Sequence, residues 1–172
     1  MAGGRILVGS HDGLYVMLFE GDVRLTLCTA VDVYLENMFR DRDFKSVLVD
    51  LSATASIDST SLGLLAKLSI QADKIFGYTP TLVSTNPDVT RILWSMGFDD
   101  VFHIVEEPLA YSEQLGELPP LPADQEDVRQ RVLEAHRTLM EMNDTNREAF
   151  QDLVATLEAD APVVTPPKTA SL

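Results

Sequence analysis

The chain has few of the residues that build covalent or metal-dependent sites. It holds one cysteine, Cys28, among 172 residues, so no disulfide can form within it and nothing calls for an oxidising compartment. Cys28 lies in the apolar run Val23–Val31, which favours a buried thiol. The histidines at positions 11, 103 and 136 have no ligand spacing with one another or with Cys28. We therefore expect neither a metal nor a cofactor.

Basic charge is also scarce. Thirteen Lys and Arg residues face 27 Asp and Glu residues, for a formal net charge of −14. Nucleic acids and anionic membranes need basic patches, so both are excluded as partners, and a protein with a basic docking surface fits better. No apolar run approaches the roughly 20 residues that cross a bilayer, and the N-terminus lacks a signal-peptide pattern. We expect a cytoplasmic protein.

Apolar periodicity changes repeatedly along the first two thirds of the chain. Short apolar runs are typical of strands, and the Asp12–Gly13 pair between the first two predicts a β-hairpin. Spacings of three and four residues predict helices between the later runs. The predicted strands are Arg5–Gly9, Leu14–Phe19, Ser46–Leu51, Thr81–Ser84 and Val101–Val105, and the predicted helices are Thr26–Phe39, Leu62–Phe76, Asn86–Met96 and Pro108–Leu115. This order predicts an α/β fold with a mixed, mainly parallel sheet and packed helices.

The composition changes after residue 116. The run G-E-L-P-P-L-P is typical of a stiff linker, and two helical stripes follow it. We predict a domain over residues 1–116, a Pro-rich linker over 117–123, a C-terminal helical extension over 124–160 and a disordered tail over 161–172. The extension is predicted to be a helical hairpin. Packing on the domain, packing on a second copy to form a homodimer, and recruitment of another regulator all stay open.

The stretch Val49–Leu68 carries the strongest functional signal. A buried strand leads through a short polar loop into a helix whose first turn holds Asp58, Ser59, Thr60 and Ser61. Helix capping alone favours Asp, Ser and Thr, but one cap does not need four polar residues in succession. A helix N-terminus also carries unpaired N–H groups and a partial positive charge, so it accommodates a phosphate. The pattern favours a phosphorylation switch over a catalyst.

Three segments, in order, resemble the STAS domain, and more narrowly the bacterial anti-sigma-factor antagonists. Ile57–Gly63 (I-D-S-T-S-L-G) is similar to the family's hydrophobic-Asp-Ser-Ser/Thr-Gly-Leu-Gly motif. Gly21–Val23 is similar to the Gly-Glu-hydrophobic segment after the second strand, and Met96–Phe102 to the segment before the last strand. The resemblance covers roughly residues 5–116 and implies the STAS fold.

The resemblance also implies a role and a modified residue. In this family the Ser after the Asp is phosphorylated by a kinase that is also an anti-sigma factor or a related switch protein, and a PP2C-type phosphatase removes the phosphate. By motif position the acceptor here is Ser59, with Asp58 beside it. Ser61 stands where the family usually has Gly, and Arg24 where an Asp often follows. Thr60 and Ser61 are expected to be neighbouring caps or secondary acceptors.

The partner surface is expected around this helix start. On the helix itself, Gly63, Lys67, Ile70 and Lys74 lie opposite the predicted buried stripe. A small residue, two cations and an aliphatic side chain there form either a contact strip or an ordinary solvated face. The full set of expected partner-binding residues is Asp22, Asp58, Ser59, Thr60, Ser61, Gly63, Lys67 and Ile70.

Two other functions are weighed against the phosphorylation switch. A STAS subunit of a transport or lipid-trafficking complex would use the same face without phosphorylation. A small hydrolase would use Ser59 as its nucleophile, but no nucleophile-elbow pattern surrounds it. The histidines fall in a turn, a strand and the extension. We predict a binding protein and not an enzyme.

Overall fold

A seven-stranded sheet forms the centre of the protein. The computed structural model describes residues 3–160, so the predicted tail over 161–172 lies outside the described residues. The strands are β1 (Arg5–His11), β2 (Leu14–Val23), β3 (Ser46–Asp50), β4 (Thr54–Ile57), β5 (Thr81–Val83), β6 (His103–Val105) and β7 (Gly116–Glu117). The helices are α1 (Cys28–Arg40), α2 (Ser59–Phe76), α3 (Pro87–Ser95), α4 (Gln125–Met142) and α5 (Asp144–Ala159).

The sheet is mixed, as the sequence predicts. Its order is β6-β5-β3-β2-β1-β7, and β4 pairs with the far end of β2 beyond an irregularity at Gly21. β1 is antiparallel to β2 and to β7, and the other pairs are parallel. One apolar core joins the sheet to α1, α2 and α3, and Leu139 of α4 belongs to it. The predicted α/β class with a C-terminal helical part is confirmed.

Local signals fix the ends of α2 and α3. Asp58 caps α2 through a hydrogen bond from the Ser61 amide, and Asn86 caps α3 with Pro87 in the first turn. Gly77 ends α2 in the left-handed conformation at φ 62°. The predicted buried thiol is also confirmed, since Cys28 is 2% exposed, and this burial raises its pKa.

The left-handed conformation at Gly77 makes a testable prediction. An added Cβ there would meet no heavy atom within 4 Å, so a Gly77→Ala variant carries only backbone strain. We expect it to lower the free energy of unfolding by about 1 kcal/mol, measured by urea denaturation. An added Cβ at Gly116 would also meet no heavy atom, and the φ of Gly116 is not positive. Gly116→Ala should therefore not lower the free energy of unfolding. Equal effects at both positions would contradict the cap assignment.

The helix predicted over Pro108–Leu115 is wrong. No helix forms there; the segment runs beside β1 and ends in β7, which spans the predicted domain boundary at residue 116. Tyr111 anchors this path by donating a 2.9 Å hydrogen bond to Asp50, and burial together with that bond raises the pKa of Tyr111 to about 12. Tertiary contacts therefore override the local pattern. The division at residue 116 stays a prediction.

The C-terminal helices fold back onto their own domain. α4 and α5 form a hairpin, hereafter the C-terminal hairpin, whose first helix packs on α2 and α1. Leu133, Ala135, His136 and Leu139 of α4 are buried. Asn143 and Asn146 at the hairpin turn donate hydrogen bonds to the Met96 carbonyl. The sequence left open what the extension packs on, and in the structure it packs on its own domain.

Candidate functional site

The predicted switch segment begins where β4 ends. Asp58 precedes α2 and uses both carboxylate oxygens on backbone amides. Oδ1 accepts from Ser61 N at 2.8 Å, and Oδ2 accepts from Leu25 N at 2.7 Å. The carboxylate therefore caps the helix and ties the loop after β2 to it. Asp58 is therefore a helix cap, and its part in partner binding stays a prediction.

Ser59 is the least buried hydroxyl of this turn. It is partly exposed, whereas Thr60 and Ser61 are 3% and 6% exposed. The Ser61 amide serves the cap. Burial of these two hydroxyls disfavours them as secondary acceptors. Ser59 occupies the first position of α2, where the helix dipole favours an anion.

The hydroxyl of Ser59 contacts a histidine from the C-terminal hairpin. Ser59 Oγ lies 2.7 Å from His136 Nε2, although the two residues are 77 positions apart. His136 Nδ1 lies 2.7 Å from the Val132 carbonyl oxygen, which only accepts, so Nδ1 carries a proton. In the neutral imidazole Nε2 is then the acceptor, and Ser59 donates to it.

This contact brings His136 of the extension to Ser59, which the sequence analysis did not predict. A Ser–His pair at hydrogen-bond distance is the first requirement of a nucleophilic site. However, the group that orients His136 is a backbone carbonyl on its own helix, and the ring is 1% exposed, packed edge-on against Phe150. The pair therefore joins the hairpin to α2, and we assign His136 a positioning role.

Gly63 lies against α4 and not against solvent. A Cβ added at Gly63 would lie 2.6 Å from the carbonyl carbon and 2.7 Å from the Cβ of Ala135. Such distances are too short for real side chains, so only glycine lets the two helices approach this closely. The expectation that Gly63 and Lys67 form an open strip is wrong. Sequence periodicity shows which face is apolar, but not that a distant segment covers the other face.

Lys67 belongs to a cluster of charges between α1, α2 and α4. Its ammonium contacts Asp32 at 2.8 Å and Glu134 at 3.0 Å. Arg131 contacts the other oxygen of Asp32 at 2.5 Å. Burial by itself lowers the pKa of Lys67, but the hydrogen bonds to Asp32 and Glu134 outweigh it, and the net pKa is raised. Asp32 is 2% exposed, so both cations serve to neutralise a buried carboxylate.

Four residues of the site were missed by sequence reasoning: Asp32, Arg131, Glu134 and His136. The sequence does contain a signal for Asp32, because this residue directly follows the run Cys28–Val31, in which a buried thiol was predicted and all four residues are buried. A carboxylate in that position requires a partner. Arg131 is 99 positions away, and nothing in the local pattern links the two.

The remaining expected residues lie at the edges of the site. Asp22 accepts a 2.7 Å hydrogen bond from Ser56 on the neighbouring strand, so it supports β4. Ile70 is partly buried, and Lys74, near the end of α2, is exposed. Arg24 is exposed in the loop before Leu25.

An open groove lies between the loop after β2 and the C-terminal hairpin. Its volume is about 760 Å³, and its apolar lining combines Leu25, from the loop tied to Asp58, with Val128, Val132 and Leu157 of the hairpin. The hairpin thus covers α2 but leaves Leu25 41% exposed. Within residues 3–160, no cluster of His, Cys, Asp and Glu is placed to bind a metal, and no helix could span a membrane.

Comparisons with known proteins agree with this architecture. The structure matches an anti-sigma factor antagonist from Mycobacterium paratuberculosis with a TM-score of 0.51 and 24% identity, over 59% of this chain and 85% of that one. It also matches SpoIIAA, an anti-sigma factor antagonist solved in its unphosphorylated form, with a TM-score of 0.50 and 10% identity, over 60% and 89% of the two chains. These likenesses show the fold.

The family follows from the sequence match. No curated protein is significantly similar to the chain. The family model for the STAS domain matches residues 7–110, which hold most of β1, all of β2 to β6 and the Ser59 turn. The match covers more than half of the chain and ends before the C-terminal hairpin. The chain therefore belongs to the STAS domain family.

Proposed function

We propose that this protein is an anti-sigma-factor antagonist switched by phosphorylation of Ser59. In its unphosphorylated state it binds an anti-sigma factor with Ser/Thr kinase activity, or a related regulator, and keeps that protein from its target. Phosphorylation weakens or redirects the complex, and a PP2C-type phosphatase restores it. The observation that carries the proposal is the placement of Ser59: the least buried hydroxyl of its turn, at the start of α2, in the family motif.

Electrostatics explains why a phosphate would act as a switch here. It adds a charge of about −1.5 to −2 at neutral pH. Its nearest acidic neighbour is Asp58, whose carboxylate is held in place by two backbone amides and cannot swing away. The phosphate would also remove the proton that Ser59 donates to His136. A partner surface that fits the neutral serine therefore meets added negative charge, while Ser59 loses its own contact with the hairpin.

In this proposal the acidic chain is a binding protein, and the enzyme is the kinase that it binds. The relatives described above support this, since both are named for antagonising an anti-sigma factor. The net charge of −14 further favours a partner with a basic docking surface.

Substitutions at Ser59 test the proposal. We expect Ser59→Ala to capture the partner kinase from cell extract persistently, and Ser59→Asp to bind it at least about tenfold more weakly. The affinities of the captured protein are measured by calorimetry. Ser95 is an exposed serine on α3, and Ser95→Asp is the matched control that should bind like wild type. Equal binding by all variants would contradict the switch.

Phosphosite mapping separates the proposal from the transport alternative. Native protein should contain a fraction heavier by one phosphate, mapped to Ser59 and absent from Ser59→Ala. If intact mass shows no such fraction under any growth condition, a STAS subunit that works without phosphorylation becomes the better description.

A further inference from the structure

The face expected to meet partners is already occupied. Each of three residues on α2 that sequence analysis assigned to partner binding contacts α4: Ser59 contacts His136, Gly63 contacts Ala135, and Lys67 contacts Glu134. On α2 these residues are four positions apart, so they follow one face of that helix from the switch turn onward, whereas on α4 they meet the consecutive residues 134–136. The hairpin therefore occupies three positions of α2 to which the sequence assigns a protein partner.

The occupant lies outside the family match. That match ends at residue 110, before α4 begins at Gln125. The family model therefore does not include this element. The C-terminal hairpin is joined to β7 by residues 118–124, which form no helix or strand, so it is tethered by extended chain alone.

Polar contacts dominate the part of the interface near Ser59. Arg131 and Glu134 face Asp32 and Lys67, and His136 faces Ser59. All buried side-chain N and O atoms within residues 3–160 have hydrogen-bond partners. Contacts of this kind give specificity, and water or a partner with the same groups can replace them. Leu139 supplies the apolar anchor further along α4.

We propose that the C-terminal hairpin is an intramolecular ligand of the partner face, which must leave before a protein partner docks on α2 or a kinase reaches Ser59. The proposal rests on the proposed function and adds its regulation. A protein that competes with the hairpin for this face would need a helix with the same three groups. An arginine would pair with Asp32, an acidic residue three positions later would pair with Lys67, and a small residue one position further would fit against Gly63. In α4 these are Arg131, Glu134 and Ala135.

Thiol labelling in the full-length chain tests this occupancy without a kinase or a phosphate. A Ser59→Cys substitution places a reactive thiol at the covered position, and buried Cys28 is the internal reference. The rate of reaction with N-ethylmaleimide at position 59 is followed by mass spectrometry. Adding Arg131→Ala should raise that rate at least about tenfold, because it removes a buried charge contact of the hairpin. Amide exchange in α4 should rise with it.

The matched control is Arg137→Ala. Arg137 lies on the same helix but pairs with Glu158 of α5, and both side chains are about half exposed. This variant should leave the labelling rate at position 59 unchanged. If Arg131→Ala also makes Cys28 react quickly, the whole domain has opened. Glu134→Gln, which removes only the negative charge that faces Lys67, then takes its place.

Two outcomes would overturn the proposal. One is that the cysteine of the folded Ser59→Cys variant reacts as fast as it does after unfolding in urea, which would mean that nothing covers the site. The other is no acceleration by Arg131→Ala or Glu134→Gln relative to Arg137→Ala. Either result leaves phosphorylation of Ser59 standing, whereas absence of that phosphorylation would leave the labelling result intact.

Discussion

Replacing Asp32 by alanine should lower the free energy of unfolding by about 3 kcal/mol, because it leaves Lys67 and Arg131 facing each other without their shared carboxylate. Their side chains are 12% and 19% exposed, so water compensates only in part. Urea denaturation at neutral pH measures the loss. Arg5→Ala removes the exposed pair with Glu20 and should change stability far less, because water screens that pair.

The pH dependence of the Asp32→Ala effect follows from the raised pKa of Lys67. A pKa raised on folding stabilises the protein fully below the unfolded value, 10.5, and the contribution is lost as the pH rises through the folded value. The difference between wild type and Asp32→Ala should therefore be constant from pH 7 to 9 and shrink above 10.5. A difference no larger than that of Arg5→Ala would contradict the buried charge cluster.

Replacing Gly63 by valine should displace the C-terminal hairpin. The new side chain would meet the backbone of Ala135, and backbone cannot rotate out of the way as a flexible side chain can. We expect amide exchange throughout α4 to accelerate, and stability to fall by about 1–3 kcal/mol. Exchange in β3 and β5 should change much less.

A cross-link reports the same displacement directly. Lys67 and Glu134 are in contact at 3.0 Å, so a zero-length carbodiimide reagent should join them in wild type and not in Gly63→Val. The control is Gly116→Val, where an added Cβ has free space; it should keep the cross-link. An unchanged cross-link in Gly63→Val would show that α2 and α4 are not in close contact in solution.

The fold could be predicted from the sequence where a local rule decided it. Asp58, Gly77 and the Asn86–Pro87 pair each mark a helix end through their own backbone chemistry. β4 was missed because T-A-S-I has too few apolar residues to stand out, and it forms only because β2 offers a free edge beyond Gly21. The Pro108–Leu115 segment has a helical pattern that its contacts with β1 and Asp50 override.

The site could be predicted only in part, for a similar reason. The motif singled out Ser59, and in the structure it is the least buried hydroxyl of its turn. What covers Ser59 comes from a segment 77 positions away, and a single sequence contains no rule for such pairing. Apolar stripes showed that α4 needed a surface to pack on. They could not show that this surface was the expected docking face.

The tether between β7 and α4 has a quantitative consequence. A ligand held by a short chain acts at an effective concentration in the millimolar range, whatever the amount of protein in the cell. If the hairpin is docked in about 99 of 100 molecules, a partner sees its affinity reduced about 100-fold. The hairpin would then set a threshold: scarce partners are ignored, and the switch engages only when the partner is abundant or arrives with extra contacts, such as the apolar groove beside Leu25.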